Sequence, residues 1–285
     1  MTACAGMRAL EEKEFHLLKN VIYRESGIHL TEMKKALVQA RVMKRLRELK
    51  IWNYKEYCCY LSDNYDREII NLINCITTNK TDFFREPKHF EFLKEAALPA
   101  FEKAGRKQVS IWSAGCSTGA EPYSIAITVF EYFRDKKIPD IKILATDIDT
   151  EVLRKGESGI YTSDEVGSID QDILQNYFMR GVGQNSGLFK VKDFMKKIIH
   201  FDRLNLLNDT YPLRTVFDII FCRNVIIYFD VESRQSVFKN FYDYLAEDGY
   251  LVMGHSETLA SLTNKFYFYG NTIYRKVVRD ARSAC

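Results

Sequence analysis

The pattern of apolar and polar positions divides the chain in two. Residues 10–75 keep helical spacing: Leu10, Phe15, Leu17, Leu18, Val21 and Ile22 recur at helical intervals, and Ser26-Gly27 ends that run. Thr31 suits an N-cap for the next helix, which runs to about Leu49 with Val38, Val42, Leu46 and Leu49 as its apolar stripe. Further helices are expected around residues 54–61 and 67–74. From residue 109 the pattern changes to short apolar runs alternating with helical ones. Val109 to Ala114 reads as a strand, followed by a small-residue loop through Gly115 and Gly119 and then a helix beginning near Tyr123. Ile141 to Asp147 reads as a second buried strand, and Asp149 suits the N-cap of a helix over 151–157. Residues 197–201, 217–222 and 250–254 continue the strands, with a helix over 232–245 ending at Gly249. Residues 267–270 and 273–276 fit a hairpin about Gly270-Asn271. The alternation indicates an α/β fold, a mostly parallel sheet whose last strand runs against the others.

Two stretches stand outside this rhythm. Residues 77–108 form a linker that begins with the polar run Thr77-Thr78-Asn79-Lys80-Thr81-Asp82 and continues into Phe83-Phe84-Arg85 and Pro87. Residues 158–197 hold a helical piece near 173–179, a turn-forming run from Gly181 to Gly187, and Leu188-Phe189-Lys190-Val191-Lys192, which alternates like an edge strand. This reads as a small hairpin insertion, either a decorative loop or an edge for pairing with a peptide.

Composition changes this picture little. The chain has 285 residues, 46% hydrophobic and 28% charged, with a net charge of +3. That suits one large domain plus a smaller one and is too small a charge to argue for nucleic acid. No window reaches the roughly 18 apolar residues of a membrane span, and the early acids Glu11, Glu12 and Glu14 do not fit a secretory signal. Seven cysteines, at 4, 58, 59, 75, 116, 222 and 285, form no C-x-x-C pair and read as reduced thiols, with no metal site expected. On the second helix Lys34, Arg41, Lys44 and Arg45 share a face. Its simplest reading is solvated surface; the alternative is a docking face for something acidic.

The candidate chemistry lies where strands end. Gly115 and Glu121, Asp147, Asn205, and Arg223-Asn224 all fall at predicted strand carboxyl ends, which in an open α/β sheet form one crevice. The loop is not a dinucleotide fingerprint, because Ser117 stands between glycines four apart, and it lacks the lysine of a phosphate-gripping P-loop. Asp147, 28 residues beyond Gly119, suits ribose hydroxyls. Glu121 would repel pyrophosphate and suit an ammonium group. A nucleoside carrying an amino acid, S-adenosylmethionine, fits better than NAD.

At these positions the sequence resembles the chemotaxis receptor methyltransferases, the CheR family, over nearly its whole length. The resemblance is carried by Thr77 to Glu86, by Trp112-Ser113-Ala114-Gly115-Cys116-Ser117-Thr118-Gly119-Ala120-Glu121-Pro122, by Ala145-Thr146-Asp147-Ile148-Asp149, and by Phe221-Cys222-Arg223-Asn224-Val225-Ile226-Ile227-Tyr228-Phe229. It implies an all-helical N-terminal domain over 1–76 and a Rossmann-like S-adenosylmethionine-dependent domain over 109–285, with residues 158–197 as a small antiparallel β-subdomain. It further implies methyl transfer to glutamate side chains of chemoreceptors, with S-adenosylhomocysteine as the other product. Cofactor positions implied by the resemblance are Asn79, Thr81 and Arg85 in the linker, Gly115 and Glu121 at the loop, and Asp147. Asn205, Leu206, Cys222 and Arg223 complete them, with Asn224 adjoining.

Chemistry supplies candidate catalytic roles. A glutamate carboxylate ionises near pH 4.3, so at neutral pH it needs no general base to attack a sulfonium methyl group. It needs alignment and partial desolvation. Arg85 is the first candidate to hold that carboxylate, Arg223 the second, and Tyr228 a candidate hydrogen-bond donor beside them; the simpler roles are cofactor contact for Arg85 and packing for Tyr228. The resemblance also favours the basic helix as a docking face for the receptor's acidic helical bundle. It makes the hairpin insertion a candidate for pairing with a receptor C-terminal pentapeptide. A cytoplasmic monomer working at membrane receptor arrays is expected, with no nucleic acid or metal and no insertion into the bilayer. A non-catalytic S-adenosylmethionine-binding module attached to receptors is the alternative. An RNA methyltransferase is a weaker one, lacking the Asn/Asp-Pro-Pro-aromatic motif of amine methylation.

Overall fold

The strand Val109 to Ala114 forms because an uninterrupted apolar run can be covered on both faces. In the computed structural model, which describes residues 9–259 and 263–277, it is β1 (Gln108–Ala114), buried everywhere except its first residue. Parallel to it lie β2 (Asp140–Asp147) on one side and β7 (Phe217–Cys222) on the other. The sheet extends through β6 (Ile199–Arg203) beyond β2 and β8 (Leu245–Met253) beyond β7, both parallel. It ends in the antiparallel β10 (Ile273–Lys276) and β9 (Phe266–Gly270), in the order β6-β2-β1-β7-β8-β10-β9. This is a Rossmann-like, mostly parallel sheet in which the reversed strand β10 is inserted between β8 and β9.

Successive side chains of β1 leave opposite faces of the sheet. Ile111 joins a core with Tyr123, Ile125 and Val129 of α7 (Ala120–Tyr132) and with the helices of the linker, α5 (Lys88–Phe92) and α6 (Leu98–Lys103), joined by a wide π-type turn over Leu93–Ala97. Trp112 joins the opposite core with Val237, Phe238 and Phe241 of α11 (Val231–Tyr244). Its fully buried indole N–H donates to Thr146 Oγ1 at 2.9 Å, so the large ring is satisfied as well as packed. The helix expected to run to 245 ends at Tyr244, and Leu245 already belongs to β8.

The N-terminal helices α1 (Glu12–Ser26), α2 (Lys35–Leu49), α3 (Tyr54–Asp63) and α4 (Tyr65–Ile76) share a third core containing Phe15, Leu18, Ile22, Val38, Val42 and Leu46. Leu17, expected on the buried stripe, is instead exposed. Thr31 makes no side-chain cap; a 3-10 turn over Glu32–Lys34 precedes α2. Gly27 closes α1 at φ +67°, and a Cβ there would lie 2.2 Å from Leu207 Cδ1, so the helical layer meets the sheet layer at this point. Asn205 Nδ2 donates to the Glu25 carbonyl at 2.8 Å, and the His29 N–H donates to the Tyr228 carbonyl at 2.9 Å. The Tyr23 hydroxyl bonds to Asp230.

After α8 (Thr150–Ser158) the inserted segment builds a second sheet from β3 (Ile160–Thr162), β4 (Phe178–Arg180) and β5 (Leu188–Val191), with α9 (Gln171–Tyr177) between β3 and β4. The order is β3-β5-β4, all antiparallel. Residues 188–191 therefore form the centre of the insertion, not its edge. Polar alternation marks a strand with one open face; it does not say whether both backbone edges are paired. The helix α10 (Asp193–Lys196) returns the chain to β6. Among the described residues five cysteines are free, while Cys4 and Cys285 lie outside them. No described helix is long and apolar enough to cross a membrane.

Candidate active site

The sheet ends at a cleft because its loops turn sharply there. Gly115 and Cys116 both donate their N–H groups to the Thr146 carbonyl, at 2.8 and 2.9 Å, which tethers the loop after β1 to the end of β2. Gly115 sits at φ +86°, and a Cβ on it would lie 2.3 Å from Val225 Cγ2. Only glycine fits that conformation and that gap. Asp147 then accepts the Ser117 N–H at 2.8 Å and the Asp149 N–H at 3.0 Å. Burial pushes its carboxyl up to about 6 despite these bonds. Asp149 caps α8 through the N–H groups of Glu151 and Val152, and also accepts from the Thr77 hydroxyl and the Asn79 amide. The linker is thereby tied to β2, and the Ser117 hydroxyl ties the loop to the linker through the Asn79 carbonyl.

The cleft collects most of the expected residues. Asn79, Thr81 and Arg85 line it from the linker, Gly115 from the loop after β1, Glu121 from the start of α7, Asp147 from the end of β2, and Asn205 and Leu206 from the segment after β6. Arg223, Asn224 and Tyr228 line it from the segment after β7. Cys222 is outside it, its side chain fully buried among Trp112, Phe238 and Met253. Strand alternation accounts for this: a thiol facing the core cannot also face the cleft. Sequence reasoning missed the opposite wall, formed by Ser26, Ile28, His29, Leu30 and Leu37 of the helical layer together with Lys34, which it assigned to docking. Ser26-Gly27 followed by Ile28-His29-Leu30 was the only available signal.

The charged centre of the cleft is a chain of three side chains, Glu121 and Arg223 buried in its lining and Glu86 half-buried beside them. Arg223 donates Nη1 to Glu121 at 3.0 Å and Nη2 to Glu86 at 3.1 Å, while Glu121 also accepts the Ser113 hydroxyl at 2.7 Å. Burial alone would push the Glu86 carboxyl up, but Arg223 and the His255 N–H hold it below its ordinary value. Two carboxylates against one guanidinium leave the cluster one negative charge, which suits an ammonium group. Arg223, the second candidate for gripping a substrate carboxylate, is thus already committed, and its Nη2 also bonds to the Arg85 carbonyl. The Arg85 side chain is freer: its guanidinium donates Nη1 to the Lys80 carbonyl at 3.0 Å and is half-buried in the cleft wall. Tyr228 is about one-third exposed at the rim.

Glu257 was not foreseen. It is buried and accepts the N–H groups of Asn224, Val225 and Gly254 at 2.8, 3.0 and 2.8 Å, fixing the left-handed turn at Asn224, φ +59°. Burial raises its carboxyl even so. An acid three residues beyond the strand-ending Gly254 was its only trace in the sequence.

Two family descriptions match the chain: "CheR methyltransferase, all-alpha domain" over residues 13–77 and "CheR methyltransferase, SAM binding domain" over residues 79–275. The chain belongs to the CheR methyltransferase family. Chemotaxis protein methyltransferase of Escherichia coli is 40% identical over 93% of this chain and 91% of its own. The protein of the same name from Borreliella burgdorferi is 37% identical over 94% and 95%. In this CheR methyltransferase the basic face of α2 is only partly free. Arg45 is paired with the buried Glu68 through Nη2 at 2.7 Å, and Arg41 donates to the carbonyls of Ile76 and Thr77 and to the Thr78 hydroxyl. Both arginines hold α2 to α4 and the linker, so they are not open docking cations. Lys34 and Lys44 remain exposed.

Proposed function

We propose that this chain transfers the methyl group of S-adenosylmethionine to glutamate side chains of chemoreceptors, forming methyl esters for adaptation in chemotaxis. The observation that carries this is the joining of a net-negative cluster (Glu86, Arg223, Glu121) and a strand-end acid (Asp147) in one cleft. Those groups suit the ammonium and ribose ends of that cofactor, and Gly115, where a Cβ would collide with Val225, lets the loop after β1 close against the segment after β7. When bound, the cofactor supplies a sulfonium methyl group as the electrophile.

The protein's own work is orientation and desolvation. The half-buried Arg85 guanidinium attracts a substrate carboxylate that the cluster's negative charge would otherwise repel. It holds the carboxylate by hydrogen bonds while leaving a lone pair for attack. Tyr228 stands at the rim with a phenol available to the same group. No proton has to be removed from an ionised carboxylate. Lys34 and Lys44 offer positive charge to an acidic receptor helix, and β3 or β4, the edges of the small sheet, offer unpaired backbone to a receptor C-terminal pentapeptide. Action as a monomer in the cytoplasm, at membrane receptor arrays, belongs to the same proposal.

Labelled methyl transfer to receptor-containing membranes tests it. Label that appears on receptor protein and is released by mild base supports the ester. Cofactor binding without transfer would leave the chain a binding module.

A further inference from the structure

The segment that carries Tyr228 is held from three directions. It is a single 3-10 turn, Ile226–Tyr228, between β7 and α11. Its own bonds are long: the Tyr228 N–H reaches the Val225 carbonyl at 3.3 Å and the Phe229 N–H the Ile226 carbonyl at 3.1 Å. So short a turn supports itself weakly. Glu257 fixes its entry through the Val225 N–H at 3.0 Å. From α11, Arg234 donates Nε to the carbonyls of Ile226 at 3.0 Å and Phe229 at 2.9 Å, on either side of Tyr228.

The third direction is the helical layer. The Tyr228 carbonyl accepts the His29 N–H at 2.9 Å. Asp230, just beyond, has two duties. One carboxylate oxygen caps α11 through the Ser233 N–H at 2.9 Å, and the other accepts the Tyr23 hydroxyl of α1. The Tyr23 ring also meets the His29 ring edge-on, with centroids 6.4 Å apart at 80°. Tyr23 therefore contacts both residues that tie the helical layer to this turn. Leu207 packs against Gly27 just after Tyr23, so α1 meets the sheet layer at a fixed depth.

We infer that Tyr23, acting through Asp230 and His29, is a positioning residue that sets Tyr228 at the cleft rim for the methyl acceptor. This rests on the methyl-transfer reading, in which the Tyr228 phenol serves the substrate carboxylate. Tyr228 is partly exposed at the rim, so the placement of its phenol follows that of its backbone. A misplacement of about 1 Å in such a group can cost about a hundredfold in rate. The helical layer is then part of the transfer geometry as well as a docking platform. The plainer role for Tyr23 is a surface hydrogen bond that adds only stability between layers, and turnover separates the two.

Tyr23→Phe in the full-length protein keeps the ring against His29 and removes only the hydroxyl. Its kcat with receptor membranes should fall about five- to tenfold, the worth of one hydrogen bond. KM for receptor and affinity for S-adenosylhomocysteine should stay those of the parent. In a Tyr228→Phe background the same change should cost nothing further; an equal loss there would overturn the proposal. Asp230→Ser keeps a capping hydroxyl but is too short to reach Tyr23, and it should reproduce the Tyr23→Phe result. A readout without turnover comes from 3-fluorotyrosine placed at position 228 alone. Its fluorine line should shift or broaden in Tyr23→Phe, and an unchanged line would overturn the proposal. A line that moves in a protein that transfers no methyl group would sink the methyl-transfer reading while supporting the positioning of Tyr228.

Discussion

Arg223 and Glu121 meet at 3.0 Å across the cleft floor, joining the end of β7 to the start of α7. The same guanidinium holds Glu86, so Glu121 does not depend on a ligand for its counter-charge, and the cluster as a whole stays negative. Glu121→Gln removes that surplus charge while keeping the Ser113 and Arg223 contacts within reach. Affinity for S-adenosylhomocysteine should fall about 10- to 150-fold, the range of a hydrogen bond to a charged group at about 1.5–3 kcal/mol. Methylthioadenosine, which lacks the ammonium group, should bind the variant nearly as well as the parent. Calorimetry with both ligands decides, and equal losses for both would remove Glu121 from ammonium recognition.

The two cleft arginines should separate cleanly. Arg223→Ala leaves two largely buried carboxylates facing each other and should destabilise the fold by about 3–5 kcal/mol, visible as early denaturant unfolding. Arg85→Ala removes a side chain whose recorded bond is to a neighbouring carbonyl, so stability should change by no more than about 0.5 kcal/mol. Methyl transfer should nevertheless be abolished. Near-normal turnover in Arg85→Ala would take it out of the mechanism.

Gly115 tests the shape of the loop. Alanine there meets both the left-handed backbone, costing about 1–2 kcal/mol, and Val225 Cγ2 at 2.3 Å. Gly115→Ala should therefore unfold at lower denaturant and bind cofactor weakly. Adding Val225→Ala should relieve the collision but leave about 1–2 kcal/mol of backbone strain. A double variant no better than the single one would mean that the loop shifts rather than clashes.

The legible parts of the chain were those set by local pattern. The apolar run at 217–222 and the N-cap at Asp149 are decided by neighbouring residues, and the structure places both as read. The cleft residues at strand ends were legible for a similar reason, since parallel strands put their carboxyl ends on one side. What could not be read was decided by distant partners. Arg45 looked like solvated or docking charge because Glu68, which buries it, lies on another helix. Arg223 looked free because Glu86 and Glu121 approach it from 137 and 102 residues away. Residues 188–191 looked like an edge because strand order depends on which segments pair, and β4 arrives from the far side of α9.

The same distinction predicts how α2 responds to charge reversal. Arg45→Glu would set an acid against the buried Glu68 and should unfold the helical layer by about 3–5 kcal/mol. Lost activity there would say nothing about docking. Lys34→Glu with Lys44→Glu changes exposed side chains, of which Lys34 also borders the cleft, so Lys44→Glu alone serves as the control. The double variant should leave melting unchanged, lower receptor methylation, and weaken its dependence on salt, because exposed interface charges act mainly on association. Unchanged methylation of receptor membranes at low salt would return that face to ordinary solvated surface.

Asp147 gives the pH dependence a definite sign. Its carboxyl is raised to about 6 by burial, whereas in the unfolded chain it titrates near 3.9. A raised carboxyl favours the folded state when protonated. Its stabilising contribution is therefore complete below about pH 4 and is lost as pH rises through about 6. Ligand binding runs the other way, because accepting hydrogen bonds from ribose hydroxyls is best done by the ionised form. Affinity for S-adenosylhomocysteine should therefore be full above about pH 7 and fall several-fold as pH drops through 6. The ligand's ammonium group stays charged throughout that range. Asp147→Asn should bind weakly at every pH, with the step near 6 gone and with slightly higher stability at pH 8 than the parent. Calorimetric titrations from pH 5 to 8 measure both. A step that survives in Asp147→Asn would belong to another group and would remove Asp147 from ribose recognition.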